Sequence, residues 1–277
     1  MKKNIYYLGM PGSFSSIAAK KYFNDETEFV GKKSFEEIIE TLQSEDGGCG
    51  IVPIENSVSG SVIPMYDLLE RSPIRIIGEV YLRVKQNLLA KAPTSLDSIS
   101  MVYSHPEALK QCDVFLRSLE VRRVEVSDTA TAAHVVSSSA QNHEAAIASL
   151  EAADRYGLHV IAEGIETNKQ NYSRFLILCN MDATAEASKC DKATIVFTLE
   201  HQPGTLLNVL SALKDHGINL TKIESRPMIG SPFEYLFYVD FEYDNEWMVP
   251  AVLELIKKQT ITCKVLGMYP KGVFHDE

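Results

Sequence analysis

The chain has 277 residues, 45% of them hydrophobic and 23% charged, with a formal net charge of −10. That length supports one large core or, better, two smaller ones, and the acidic balance excludes a nucleic-acid-binding surface, which needs clustered cations to displace counterions. The five cysteines form no Cys-x-x-Cys pair and the seven histidines have no metal-ligand spacing. These counts exclude a disulfide framework or zinc site and fit a reducing cytoplasm.

The start, Met1–Leu8, has too short an apolar run for a signal peptide and passes into Gly9, Pro11 and Gly12, so Ile5–Leu8 reads as a first buried strand. No run approaches a membrane span. Next come helices Ser15–Phe23 and Ser34–Gln43, strand Gly50–Pro53, helix Ile63–Glu70, and strands Arg75–Arg83, Asn87–Ala90 and Met101–Ser104. In helix Pro106–Leu119, Leu109, Cys112, Leu116 and Leu119 recur at helical spacing. Strand Arg123–Val126, helix Ala130–Ser138, strand Ala145–Ala148, helix Leu150–Tyr156 and strand Arg174–Cys179 follow. This alternation predicts α/β layers with mostly parallel strands over residues 1–180.

Residues 181–191 are small, polar and aperiodic and read as a linker. Residues 192–277 restart the pattern: strand Ala193–Leu199, helix Thr205–His216, strands Leu220–Ser225 and Tyr235–Tyr243, helix Glu246–Lys258 and strand Thr262–Tyr269. The order βαββαβ predicts a ferredoxin-like unit.

Four segments place glycines and hydroxyls where a strand feeds a helix: Gly9–Ser15, Pro53–Val62, Ser104–Cys112 and Asp128–Ala133. Glycines let backbone approach a ligand, and hydroxyls and free amides at a helix start favour an anion. Each segment alone also fits an ordinary capped turn, and a single histidine such as His105 is more often structural than catalytic. A turn does not need Glu55, Asn56, Ser57, Ser59 and Ser61 together, so binding is favoured there, with a solvated Glu55 as the plainer alternative. Four such junctions predict two lobes whose strand ends face one cleft. Asn171, Ser173 and Arg174 offer an amide, a hydroxyl and a guanidinium at the mouth of a strand.

In this order the segments resemble the prephenate dehydratase family over essentially the whole chain. The family's Gly-x-x-Gly-Ser-Phe-Ser is similar to Gly9–Ser15, its Pro-Ile-Glu-Asn-Ser-x-x-Gly-x-Val to Pro53–Val62, and its Ser-His-Pro-x-Ala-Leu-x-Gln-Cys to Ser104–Cys112. Asp128–Ala133, Ala145–Ser149 and Tyr156–Leu158 continue the match, and Asn171–Phe175 resembles Asn-x-Thr-Arg-Phe with Ser173 in place of threonine. The resemblance implies a two-lobed, periplasmic-binding-protein-like catalytic domain at 1–180 and a ferredoxin-like ACT regulatory domain at 192–277. It implies no cofactor or metal, and no fused chorismate mutase activity, since nothing precedes the first motif.

The implied reaction turns prephenate into phenylpyruvate, water and carbon dioxide. Ser173 is the implied catalytic hydroxyl, an oriented donor at the departing oxygen rather than a free acid. Lacking threonine's methyl, it is expected to be less preorganised. Ser13, Glu55, Asn56, Ser57, Gly60, Ser61, Thr129, Thr131, Asn171, Arg174 and Phe175 are the implied substrate contacts. In a strand, however, Arg174 points away from Ser173 and braces the cleft instead, while Phe175 serves either the substrate ring or the core. Glu224-Ser225-Arg226-Pro227 matches the ACT family's Glu-Ser-Arg-Pro, and Gly204-Thr205-Leu206-Leu207 approximates its Gly-Ala-Leu-Val. L-phenylalanine is the implied effector, at Pro203, Gly204, Thr205, Leu206, Asn219, Glu224, Ser225, Arg226 and Pro227 between ACT domains of a homodimer or homotetramer. An arogenate dehydratase and a non-catalytic aromatic-acid-binding regulator remain open.

Overall fold

A computed structural model describes residues 4–23, 27–44, 48–181, 189–228, 230 and 234–276. Most of the 181–191 stretch therefore lies outside the described residues. Among the described residues no helix is long and apolar enough to cross a membrane.

The first lobe contains β1 (Asn4–Leu8), α1 (Phe14–Tyr22), β2 (Glu28–Lys32), α2 (Phe35–Ser44), β3 (Cys49–Asn56), β4 (Gly60–Ser61), α3 (Ile63–Arg71) and β5 (Ile74–Arg83). The chain then crosses into a second lobe: β6 (Asn87–Ala90), β7 (Met101–Ser104), α4 (Pro106–Gln111), α5 (Asp113–Arg117), β8 (Arg122–Glu125), α6 (Thr129–Ser138), β9 (Glu144–Ala148), α7 (Leu150–Tyr156) and β10 (His159–Ala162). It returns to the first lobe through β11 (Tyr172–Asn180).

The first lobe's sheet runs β5-β11-β3-β1-β2, the second's β10-β6-β9-β7-β8. Pairs β1–β2, β1–β3, β7–β8 and β7–β9 are parallel, whereas β11 is antiparallel to both β3 and β5, and β6 to both β9 and β10. The expectation of mostly parallel strands is thus corrected to mixed sheets. A chain that leaves a lobe off the end of β5 and returns beside it must run the other way. The unpredicted β2 and β10 are edge strands without a buried apolar alternation. The predicted helix at 106–119 breaks at Cys112 into α4 and α5.

Period-two alternation on β11 sorts the core of the first lobe. Phe175, Ile177 and Cys179 pack with α1, while Leu176 and Leu178 pack with α2 and α3. The two glycines of the first junction serve lobe-to-lobe contact rather than ligand approach. At φ +93°, Gly12 would place a Cβ 3.0 Å from the Cα of Ala152 on α7, and at φ +91°, Gly9 would meet Asp128 at 3.3 Å. Ser149 Oγ donates to the Gly12 carbonyl at 2.6 Å and Tyr156 to that of Pro11 at 2.9 Å.

Residues beyond the second crossing form β12 (Lys192–Thr198), α8 (Thr205–Asp215), β13 (Asn219–Pro227), β14 (Tyr235–Glu242), α9 (Val249–Lys257), β15 (Thr262–Tyr269) and a short β16 (Phe274–His275) that pairs with β5. The antiparallel order β13-β14-β12-β15 is that of a ferredoxin-like sheet. One face carries α8 and α9 over Ile195, Phe197, Val239 and Phe241; the other sets Val196, Tyr238, Leu266 and Tyr269 against Met65, Tyr66 and Leu69 of α3. β15 also joins the first lobe's sheet where Gly267 faces Ile76. A Cβ at Gly267 would lie 2.2 Å from the Ile76 carbonyl oxygen, so only glycine permits this junction.

Candidate active site

A cavity of about 530 Å³ opens between the lobes, at the ends of β1, β3 and β11 and the starts of α1, α3, α4 and α6. The four junction segments converge here. Of the expected contacts, Ser13, Asn56, Gly60, Ser61, Thr129, Ser173 and Phe175 line the wall.

The polar part of the wall is one hydrogen-bonded chain whose sense is fixed by backbone. The amides of Val58 and Ser59 both donate to Asn56 Oδ1, each at 2.9 Å. Asn56 Nδ2 must then donate, and it does so to Asn171 Oδ1 (2.7 Å), to the Tyr172 carbonyl (3.2 Å) and to Ser173 Oγ (3.1 Å). With its carbonyl occupied, Asn171 donates to Gln111 Oε1 at 2.9 Å. Because Ser173 Oγ accepts from Asn56, its own proton is left to point elsewhere, and the cavity is the open direction.

Neutral groups dominate the rest. Among the described residues that line the cavity there is no lysine or arginine, and the carboxylates are Glu107 and Asp128. Donors for an anion come from backbone at helix starts, where first-turn amides have no intrahelical partner and the dipole is positive. Ser13 caps α1 by accepting from Ser16 N–H at 3.3 Å, leaving Phe14 and Ser15 at its first turn on the wall. Asp128 caps α6 by accepting from Thr131 N–H at 2.9 Å, with Thr129 on the wall.

Five expected contacts lie off the cavity wall. Glu55 lies on the opposite face of β3 from Asn56, where Lys222 Nζ holds it at 2.8 Å. Ser57 donates to the Gln170 carbonyl at 3.0 Å and accepts from Tyr172 N–H at 2.9 Å, tying the turn to the returning strand. Thr131 Oγ1 turns back to Asp128 at 2.6 Å. Asn171, 1% exposed, sits behind the wall as a link in the amide chain. Arg174, 4% exposed, projects through the sheet to Glu79 (2.6 Å), Asp240 and Tyr269 (3.1 Å). Burial opposes its charge, yet Asp240, Tyr269 and Glu79 hold its pKa well above the ordinary arginine value. Phe175 serves both roles, lining the cavity and packing in the α1 core.

Sequence reasoning missed Gln86, took in Glu107 and Gln111 only as members of the Ser104–Cys112 junction, and set His105 aside as structural. All four line the cavity. His105 Nδ1 accepts from Glu107 N–H at 3.2 Å, so its ring proton is on Nε2 when neutral. Burial pushes its pKa below 6.5, against the raising pull of Glu107, Asp128 and Glu125. A depressed histidine contributes stability that is complete above its unfolded value and is lost as pH falls through its folded value. Wild-type melting temperature should therefore drop more between pH 7.5 and pH 5 than that of His105→Asn, which keeps a helix cap. Equal drops would rule His105 out as the source.

Among the described residues, the expected effector positions are spread over the start of α8 and along β13. A small recess beside α8 is lined by Thr205 and Leu206 but not by Asn219, Glu224, Ser225, Arg226 or Pro227. Glu224 instead accepts from Ser61 Oγ at 2.6 Å, and Arg226 holds Asp67 at 3.2 Å. Tyr238 donates to the Tyr66 carbonyl at 3.0 Å, and Lys264 caps the end of α3 through the carbonyls of Glu70 (2.6 Å) and Ser72 (3.1 Å). The C-terminal sheet thus grips α3 along its length, and the start of α3 lines the cavity.

A sequence model of the prephenate dehydratase family matches residues 5–183, and one of the ACT domain matches residues 193–244. Arogenate dehydratase/prephenate dehydratase 1 of Arabidopsis thaliana is 38% identical over 97% of this chain and 72% of its own length. Among solved structures, prephenate dehydratase from Arthrobacter aurescens in complex with L-Phe superposes with a TM-score of 0.85, 27% identity, and coverage of 96% of this chain and 90% of that one. The quorum quenching acylase GqqA superposes with a TM-score of 0.86 at 27% identity, covering 97% of this chain and 98% of its own.

Proposed function

The chain belongs to the prephenate dehydratase family, a family of lyases with an ACT regulatory domain, and from that premise we propose how this cavity performs the reaction. The C–C bond to the ring carboxylate of prephenate breaks and its electron pair closes the aromatic ring. The C–O bond breaks at the opposite ring carbon, and the departing hydroxide takes one proton to become water. Carbon dioxide and phenylpyruvate are the other products. The observation that carries this reading is Asn56 donating to Ser173 Oγ, which frees the serine proton for the departing oxygen. First-turn amides of α1 and α6, with the Thr129 hydroxyl, supply donors for the two carboxylates.

A likeness to an acylase gains no such support. An activated serine needs a base to take its proton, and the side chain hydrogen-bonded to Ser173 Oγ among the described residues is an amide donor. Purified protein is expected to form phenylpyruvate from prephenate, with L-arogenate run beside it to set the preference. Binding of both without turnover would favour the non-catalytic reading.

L-Phenylalanine is the effector, acting through the Glu224 and Arg226 contacts to β4 and α3 in a cytoplasmic homo-oligomer. The edge position of β13, with Ile223 42% exposed, suits assembly through the C-terminal unit. Glu224→Gln keeps an acceptor for Ser61 but lacks the charge that an effector ammonium needs. Basal turnover should stay within about threefold and the phenylalanine concentration for half-inhibition should rise about tenfold or more. An unchanged half-inhibition would remove Glu224 from the effector path.

A further inference from the structure

Gln86 lies on the segment that crosses from β5 to β6, lines the cavity and is 2% exposed. Its backbone is fixed on both sides: its N–H donates to Glu166 Oε2 at 2.9 Å, and its carbonyl accepts from Ile165 N–H at 2.8 Å. Its side chain ends the amide chain that begins at Ser173. Gln111 Oε1, already accepting from Asn171, also accepts from Gln86 Nε2 at 3.4 Å. The sense set by the Val58 and Ser59 amides therefore propagates through Asn56, Asn171 and Gln111, and it leaves Gln86 Oε1 as a buried acceptor without a partner among the described residues. Reversing the amide would set two carbonyl oxygens against each other at Gln111.

A buried acceptor of this kind calls for a donor. Ionised prephenate carries two carboxylates and a ketone, all acceptors, and its one hydrogen-bond donor is the ring hydroxyl. We infer that Gln86 accepts a hydrogen bond from the substrate's ring hydroxyl, the group that departs, and so turns that oxygen's lone pair toward the Ser173 proton. The inference rests on the reading of the cavity as the prephenate site. Ser173 then offers a donor, and Gln86 an acceptor, from the two ends of one oriented chain. The contact exists in the ground state and gains nothing as negative charge develops on the departing oxygen, so Gln86 acts on binding more than on the chemical step.

Gln86→Met preserves length and removes the acceptor. The KM for prephenate should rise about tenfold or more, with kcat within about threefold. The inhibition constant of phenylpyruvate, which has no ring hydroxyl, should stay within about twofold. An unchanged KM, or a KM and a phenylpyruvate constant that rise together, would overturn the assignment. A measurement on the unaltered protein does not depend on that variant folding. A prephenate analogue with hydrogen in place of the ring hydroxyl should bind about tenfold or more weakly than prephenate, and equal binding would overturn the contact. Wild-type protein that forms no phenylpyruvate would instead refute the reading of the site itself.

Discussion

Replacing Ser173 by alanine is expected to lower kcat by about 10²–10³-fold while KM stays within about threefold. A hydroxyl that donates to the departing oxygen strengthens its bond as charge develops there, so its loss falls on the chemical step. The fold should be unaffected, because Asn56 Nδ2 keeps the Asn171 and Tyr172 oxygens as acceptors. Steady-state kinetics on a sample with an unchanged melting curve make the check. Full turnover in Ser173→Ala would remove the serine from the mechanism.

The second large effect is on stability. Arg174→Met should destabilise the protein by about 3–5 kcal/mol, a fall in melting temperature on the order of 10 °C. Glu79 and Asp240 are both buried beside the guanidinium, and neither can find water once it is gone. Lys192 Nζ, 2.9 Å from Glu79, compensates one carboxylate only in part. The effect is strong because the cluster ties β11 to β5 and to the C-terminal sheet. Differential scanning calorimetry of the two proteins is the measurement. A melting temperature unchanged within about 2 °C would mean that the buried charges do not depend on the arginine.

How much of this was legible in the sequence varies with the range of the cause. Strand-to-helix junctions are local events, and all four reach the cavity as read. The face of a strand residue is also local: alternation already sent Arg174 away from Ser173, and the structure adds the carboxylates that hold it there. The same rule separates Glu55 from Asn56, but motif similarity placed both on the substrate. Partners far along the chain were not legible. No pattern in residues 84–87 marks Gln86 as the neighbour of Gln111, because the contact depends on how the two crossings sit together. Gly12 carries no sign that its missing side chain makes room for α7. The grip on α3 depends on a sheet junction at Gly267 that periodicity cannot reveal.

The central claim, that the Asn56 amide aims the Ser173 proton at the substrate, is tested most directly by a double-mutant cycle with Asn56→Asp. Aspartate keeps an oxygen for the Val58 and Ser59 amides but turns the donor facing Ser173 into an acceptor, which draws the serine proton away from the cavity. Asn56→Asp alone should lower kcat by about 10²-fold, and by less than about threefold when Ser173 is already alanine. Losses that multiply in the double variant would contradict a hydroxyl oriented by Asn56.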